Sequence, residues 1–265
     1  MASVFREDVA VDGASLSVLS SGDVDGEPLL LLHGTFWSRV WQPVLPALGA
    51  RFRCLALDLP GFGRSGGELD VEHADVPALA QTVLRAADAL GLDSFHLAAH
   101  DIGGGCAQHL AVHARERVGR MVLMNSVMFD SWPVPAVERF GDPQVRADTT
   151  VDDLVEARRA SMDKAVERAL SDAEIDDYIS PWRDERRARS WMAMAAAADA
   201  RFTLDLVPGL VEQAVPTRLV WGRDDGFQRV EYARRYVESI PAADLVEVPG
   251  RHIPTEDAAE SVAAA

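Results

Sequence analysis

Lysine is nearly absent. Lys164 is the only one in 265 residues, so the positive charge is otherwise arginine. Cysteine stops at two, Cys54 and Cys106, too few for a disulfide framework or a thiolate metal site. Long apolar runs are missing as well: none approaches the ~20 residues that span a bilayer. Residues 1–8 carry no basic segment followed by an apolar one, which speaks against a signal peptide. Positive charge is in deficit overall, 26 Lys and Arg against 42 Asp and Glu, for a net charge of −16. Nucleic acid and anionic membranes need clustered basic residues and are excluded as partners. The one basic stretch, Arg183–Arg189, is interrupted by Asp184 and Glu185 and reads as a solvated helix face. With 48% hydrophobic and 26% charged residues, the chain fits neither a disordered nor a membrane-embedded class. A soluble cytoplasmic protein, monomer or homodimer, is expected.

What is present is an alternation of short apolar runs and longer amphipathic stretches. Residues 4–20 read as a hairpin turning at Asp12-Gly13. Leu29–Leu32, Phe52–Leu57, Phe95–Ala99 and Met121–Val127 read as buried strands. Between them 38–49, 74–91 and 103–114 read as helices, the second closed by Gly91. From 128 to 207 only helical periodicity appears. The alternation resumes with strand Thr217–Trp221, helix 229–239, strand Asp244–Val248 and helix 254–264. This is an α/β fold: a mostly parallel sheet with helices on both faces. Residues 1–127 and 208–265 would form its core, and 128–207 an inserted helical cap.

The sharpest chemical signal is His100-Asp101-Ile102-Gly103-Gly104, at a strand-to-helix junction. Ala99 and Gly103 flank the acid at two residues on either side. That spacing permits a sharp turn that projects the central side chain above the carboxyl edge of the sheet. Taken alone, Asp101 also fits a helix N-cap. Two further residues belong at the same edge: Asp225, after Trp221-Gly222, and His252, after the last strand. Nucleophile, acid and base then run in the chain order of a hydrolase triad.

On these pieces, with His33-Gly34 and the segment Asp58-Leu59-Pro60-Gly61-Phe62-Gly63-Arg64-Ser65, the chain resembles the α/β-hydrolase superfamily over nearly its whole length. An aspartate in the elbow is similar to the branch that holds epoxide hydrolases and haloalkane dehalogenases. The resemblance implies catalytic Asp101, His252 and Asp225, with Asp224 and Asp130 as rival acids. Asp101 would attack an sp³ carbon, and His252 would activate water against the resulting ester. An oxyanion hole would come from the Ile102 N–H with that of Thr35 or Phe36. Ser65 lies in a segment the family uses structurally.

Departures from the branch are specific. Haloalkane dehalogenases usually place tryptophan after the nucleophile, where this chain has Ile102. Epoxide hydrolases usually have proline at the place of Phe36 and two cap tyrosines, of which only Tyr178 is available. Trp37 and Trp182, with Tyr178, are the expected substrate-binding residues, and Trp132 and Trp191 are further indole donors. His109, His113, Tyr232, Tyr236 and Trp41 read as packing residues. Gly103-Gly104-Gly105 lacks a Walker lysine and a dinucleotide fingerprint, so no cofactor and no metal is expected. The first expectation is an enzyme opening an apolar epoxide to a diol. The alternatives are a dehalogenase, or a non-hydrolytic relative such as a cyclase, a lyase or a ligand receptor. The acidic charge leans towards a small neutral apolar substrate.

Overall fold

The computed structural model describes residues 2–265. The chain opens with the expected hairpin, β1 (Val4–Val11) and β2 (Ala14–Ser21). Asp12 and Gly13 both take positive φ, 51° and 81°, as a two-residue hairpin turn demands. The remaining strands are β3 (Pro28–Leu32), β4 (Arg53–Leu57), β5 (Phe95–Asp101), β6 (Val118–Ser126), β7 (Thr217–Gly222) and β8 (Ala243–Val248). They form one eight-stranded sheet in the order β1-β2-β4-β3-β5-β6-β7-β8. From β4 to β8 every neighbouring pair is parallel. Leu30, Leu31, Leu97 and Leu219 are fully buried, the signature of a sheet covered on both faces.

This is the α/β architecture expected from the alternating pattern. Because β5, β6, β7 and β8 run parallel, their carboxyl ends lie along one edge. Asp101, Asn125, Asp225 and His252 all sit at or just beyond those ends.

Two expected helices are divided. Residues 38–49 form a 3₁₀ turn, Ser38–Trp41, and a short α-helix, Leu45–Leu48. Pro43 and Pro46 lack the N–H groups a continuous helix would use. The last helix is split into Pro254–Asp257 and Ala259–Ala264, with Ala258 out of helical geometry (φ −144°).

Between β6 and β7 the chain forms helices only, as the periodicity predicts. The longest is Val151–Ala165, started by a capping box in which Thr150 and Asp153 satisfy each other's backbone N–H. Such a box stabilises a helix start by about 1 kcal/mol. Helix Glu185–Ala196 follows, and its Ser190 hydroxyl accepts from the Leu69 N–H of the core at 3.0 Å. Among the described residues, no helix is long and apolar enough to cross a membrane.

Candidate functional site

Asp101 ends β5 and begins the helix Ile102–His113, with φ 53° and ψ −124°. For a residue with a Cβ this backbone costs on the order of 1–3 kcal/mol, held by the surrounding packing. Two glycines make room for it. A Cβ on Gly34 would stand 2.5 Å from both Asp101 Cβ and Ile102 N; one on Gly104 would stand 1.7 Å from Ser126 Oγ. No side-chain capping hydrogen bond is made by Asp101. The carboxylate is therefore presented upward rather than spent on its own helix.

Its oxygens are inequivalent. Oδ2 accepts from Thr35 N at 2.8 Å and from Thr35 Oγ1 at 2.7 Å. Oδ1 accepts no hydrogen bond from the described residues. Of the three expected oxyanion residues, Thr35 supplies two donors at once, and its hydroxyl was not foreseen. Ile102 N is the first amide of the helix and faces Gly34. Phe36 instead packs its ring under the Arg158 guanidinium, 4.2 Å from its centroid. His33 holds this loop in place. Leu59 N–H donates to its Nε2 and its Nδ1 contacts Gly34 O, both at 2.9 Å, so Nδ1 carries the proton. Burial keeps His33 below its usual pKa, consistent with a neutral ring.

His252 lies across from Asp101. Its Nδ1 is 2.9 Å from Asp225 Oδ2 and its Nε2 is 3.8 Å from Asp101 Oδ2. Burial works against charge on His252 and on Asp101. The two carboxylates overcome this at His252 and raise its pKa. His252 and the Thr35 donors likewise overcome it at Asp101 and hold that carboxyl well below its usual value. Of the rival acids, Asp224 is exposed, and Asp130 pairs with Arg235 at 2.8 Å on the surface.

Two supporting residues escaped sequence reasoning. Asn125, in β6, donates from Nδ2 to Asp225 Oδ2 at 2.7 Å and accepts from Gly222 N at 3.0 Å. Its trace in the sequence is a polar residue following the apolar run Met121–Met124. His100 lies buried beside the elbow, its Nε2 2.8 Å from the His252 carbonyl oxygen. This contact ties the loop carrying His252 to the strand carrying Asp101.

Above these groups lies a cavity of about 170 Å³, lined by residues of the sheet's carboxyl edge and of the helical segment between β6 and β7. Asp101, His252, Thr35, Ile102, Trp132 and Trp191 are among its walls. The three expected substrate-binding residues lie outside the lining. Trp37 donates from Nε1 to the Tyr178 carbonyl at 2.9 Å. The Tyr178 hydroxyl donates to Glu256 Oε1 at 2.7 Å, within a buried cluster that includes Arg39. Trp182 packs behind Phe36 and Arg158. Trp37 and Tyr178 thus spend their polar groups between the segment 128–207 and the rest of the chain, and the buried Trp182 Nε1 has no hydrogen-bond partner. Trp132 and Trp191 do reach the cavity, yet their indole N–H groups are engaged by Thr203 Oγ1 and Thr35 O.

Ser65 is structural: its hydroxyl donates to Asp58 O at 2.6 Å and accepts from Ser17 N at 2.8 Å. Among the described residues, no group of three or more His, Cys, Asp or Glu side chains is placed to hold a metal ion.

Over 258 residues the chain is 30% identical to haloalkane dehalogenase 2 of Mycobacterium tuberculosis, covering 91% of this chain and 86% of that one. It is 25% identical over 236 residues to 2-hydroxy-6-oxo-6-phenylhexa-2,4-dienoate hydrolase of Burkholderia cepacia, covering 84% and 80%. A solved alpha/beta hydrolase fold protein from Burkholderia ambifaria superposes with a TM-score of 0.86 at 25% identity, over 97% of this chain and 95% of that one. The haloalkane dehalogenase DbeA from Bradyrhizobium elkani superposes with a TM-score of 0.82 at 22% identity, over 98% and 95%, a likeness of fold. The family model described as alpha/beta hydrolase fold matches residues 27–259. The chain is a member of the alpha/beta hydrolase fold family.

Proposed function

We propose that this hydrolase displaces a halide from an sp³ carbon through an ester on Asp101. The observation that carries the reading is the carboxylate itself, on a strained elbow with His252 Nε2 3.8 Å away. In the first step Asp101 Oδ1 forms a bond to carbon, the carbon–halogen bond breaks, and halide departs with the electron pair. In the second, His252 Nε2 takes a proton from water, and the hydroxide adds to Asp101 Cγ. Thr35 N–H and Oγ1–H hold the charge that builds on Oδ2. Collapse expels the alkoxide, which takes the proton from His252 and leaves as the alcohol, and the carboxylic acid left on Asp101 gives its proton to solvent to restore the carboxylate. The sum is haloalkane and water to alcohol, halide and a proton.

A carboxylate nucleophile suits such carbons, because attack on a carboxylic ester would produce an anhydride. A halide suits the cavity better than the epoxide favoured by sequence reasoning. An epoxide oxygen leaves as an alkoxide and needs a proton donor. No tyrosine lines the cavity, and the Tyr178 hydroxyl is committed to Glu256. The curated relative at 30% identity carries the name haloalkane dehalogenase, which points the same way.

The test is a His252→Gln variant incubated with small bromoalkanes, bromo acids and matched epoxides, followed by intact mass and free bromide. One equivalent of bromide and an alkyl adduct on Asp101 are expected. A hydroxyalkyl adduct from epoxides with no bromide from any halide would overturn the reading in favour of epoxide opening.

A further inference from the structure

The charges in the cavity oppose the charge of the chain. The chain carries −16, yet the ionisable side chains lining the cavity are Asp101, His252, Arg139 and Arg158. Arg139 is exposed, whereas Arg158, on the helix Val151–Ala165, is the one arginine among the buried residues, at 9% exposure. Every other strongly buried charge in the site has an ionic partner. Arg158 has none: among the described residues no carboxylate lies within 4.0 Å of it. Its hydrogen bonding is limited to Nη2 donating to Thr35 O at 3.2 Å, and its buried Nε has no partner. Phe36, Trp182 and Trp191 surround the guanidinium carbon at 4.2, 4.9 and 5.2 Å.

Aromatic faces steady a cation but accept none of its in-plane N–H groups. A guanidinium taken out of water calls for an anion with oxygens in the plane of its fork. Asp101 supplies charge from a distance, but that charge disappears when the ester forms. A dedicated anion would remain through both steps.

We propose that Arg158 is the receptor for a carboxylate on the substrate, so that the pocket takes a short-chain acid bearing its halogen on an sp³ carbon. This rests on the displacement reading above. Thr35 registers the two ends of such a molecule. Its N–H and hydroxyl hold Asp101, and its carbonyl holds Arg158. A substrate anchored on the guanidinium therefore presents a carbon a short, fixed distance away to Asp101 Oδ1. The small cavity, with apolar walls such as Val134, Leu154 and Phe227, suits a few methylenes between the two ends. Arg139 places a second positive charge at the cavity rim, where it steers an anion inward against the acidic surface. Burial lowers the Arg158 pKa to about 10, which leaves the side chain charged at neutral pH. Overall charge pointed to neutral substrates; the local charges of the cavity point to anionic ones.

The test separates binding from turnover. Calorimetric titration of the full chain with butanoate and with butanamide, which carry no leaving group, reads the receptor alone. Bromide release from bromo acids of two to four carbons, against their amides, reads it in the reaction. Wild type is expected to bind butanoate more tightly than butanamide, and Arg158→Met to lose about 100-fold in butanoate affinity. Arg158→Lys should recover part of the loss, and the preference for bromo acids over bromo amides should fall in parallel. Arg139→Gln, on the exposed rim, should lower kcat/KM for acids by about 3-fold at low salt, a loss that added salt should erase.

Equal binding of butanoate and butanamide by wild type overturns the proposal. So does an Arg158→Met variant that slows acids and amides alike, since that marks a leaving-group or packing role. Should Arg158→Met not fold, as judged by circular dichroism, wild type and Arg158→Lys still decide between these outcomes. Arg158-dependent butanoate binding without bromide release from any substrate supports the receptor and instead defeats the displacement reading.

Discussion

His252 Nε2 stands 3.8 Å from Asp101 Oδ2, while its Nδ1 lies 2.9 Å from Asp225 Oδ2. The second distance is a hydrogen bond and the first is too long for one. His252 is thus oriented by Asp225 and coupled to Asp101 by charge. Burial alone would strip charge from His252 and Asp101, and the attraction of their neighbours restores it. Forming an ester on Asp101 deletes one member of this balance. His252 then loses a neighbour that favoured its protonated form, and becomes a base when water must be activated.

A separation of two pH dependences follows. Asp101 is held well below its usual carboxyl pKa, so ester formation should stay fast down to about pH 5. Ester hydrolysis needs neutral His252 and should slow as pH falls through the value His252 has in the ester. Rapid-quench bursts of bromide measured against steady-state kcat between pH 5 and 9 would show a flat burst rate and a falling kcat. If both fall together with one midpoint, the charge-coupling argument is wrong.

The same shifts set the direction of stability. The raised His252 pKa contributes stability below its unfolded value of 6.5, lost as pH rises through the folded value. The lowered Asp101 pKa contributes stability above 3.8, lost as pH falls through the folded value. Asp101→Asn removes the charge that both contributions share. Denaturant titrations of this variant should therefore show a stability that changes less between pH 6 and 9 than that of wild type. An unchanged slope would place the coupling of His252 with Asp225 alone.

Thr35→Val keeps the backbone donor to Asp101 Oδ2 and deletes the hydroxyl donor at 2.7 Å, with little change in volume. Removing one oxyanion donor costs roughly 10²–10³ in rate. The loss should fall on ester hydrolysis, where charge builds on Oδ2, so the ester should accumulate in wild-type-like bursts while kcat drops. Mass spectrometry of quenched samples reads the accumulated adduct directly. A slowed burst with no accumulation would mean that the hydroxyl serves attack instead.

How much of this was legible without coordinates depended on where each residue's partner lies in the chain. Asp101, Asp225 and His252 end runs of strand-forming residues, and parallel strands bring such ends to one edge whatever the details of packing. His252 follows the last strand by only four residues, and its Nδ1 reaches Asp225. Asn125 was invisible because its role depends on how β6 lies against β7, where Met124 pairs with Val220 just below Gly222. In the sequence Arg158 is one of many charges within a helical segment, and nothing local sets it apart. Its burial exists only because Phe36, Trp182 and Trp191 converge on it from three separate segments. Tyr178 failed as a pocket residue for the converse reason, since the direction of its hydroxyl is set by Glu256 at the far end of the chain.

Glu256 itself carries the last prediction. Its side chain is 3% exposed, pairs with Arg39 at 2.8 Å and with Arg168, and accepts from the Tyr178 hydroxyl at 2.7 Å. Arg39 belongs to the core, while Arg168 and Tyr178 lie in the helical segment between β6 and β7, so one carboxylate joins both halves. Replacing it with alanine leaves the Arg39 guanidinium, 11% exposed, with only the half-exposed Asp177 as an ion partner. Breaking a buried ion pair from one side costs about 3 kcal/mol. Because Arg39 keeps one partner and Arg168 is more exposed, Glu256→Ala should lower stability by about 2 kcal/mol. Glu256→Gln, which can still accept from Tyr178 and Arg39, should lose less. Urea titration gives both values. Proteolysis should cut first between residues 128 and 207 in the alanine variant, because the lost contacts are those that hold this segment to the core. Wild-type-like stability in both variants would mean that the apolar contacts between the halves suffice without the carboxylate.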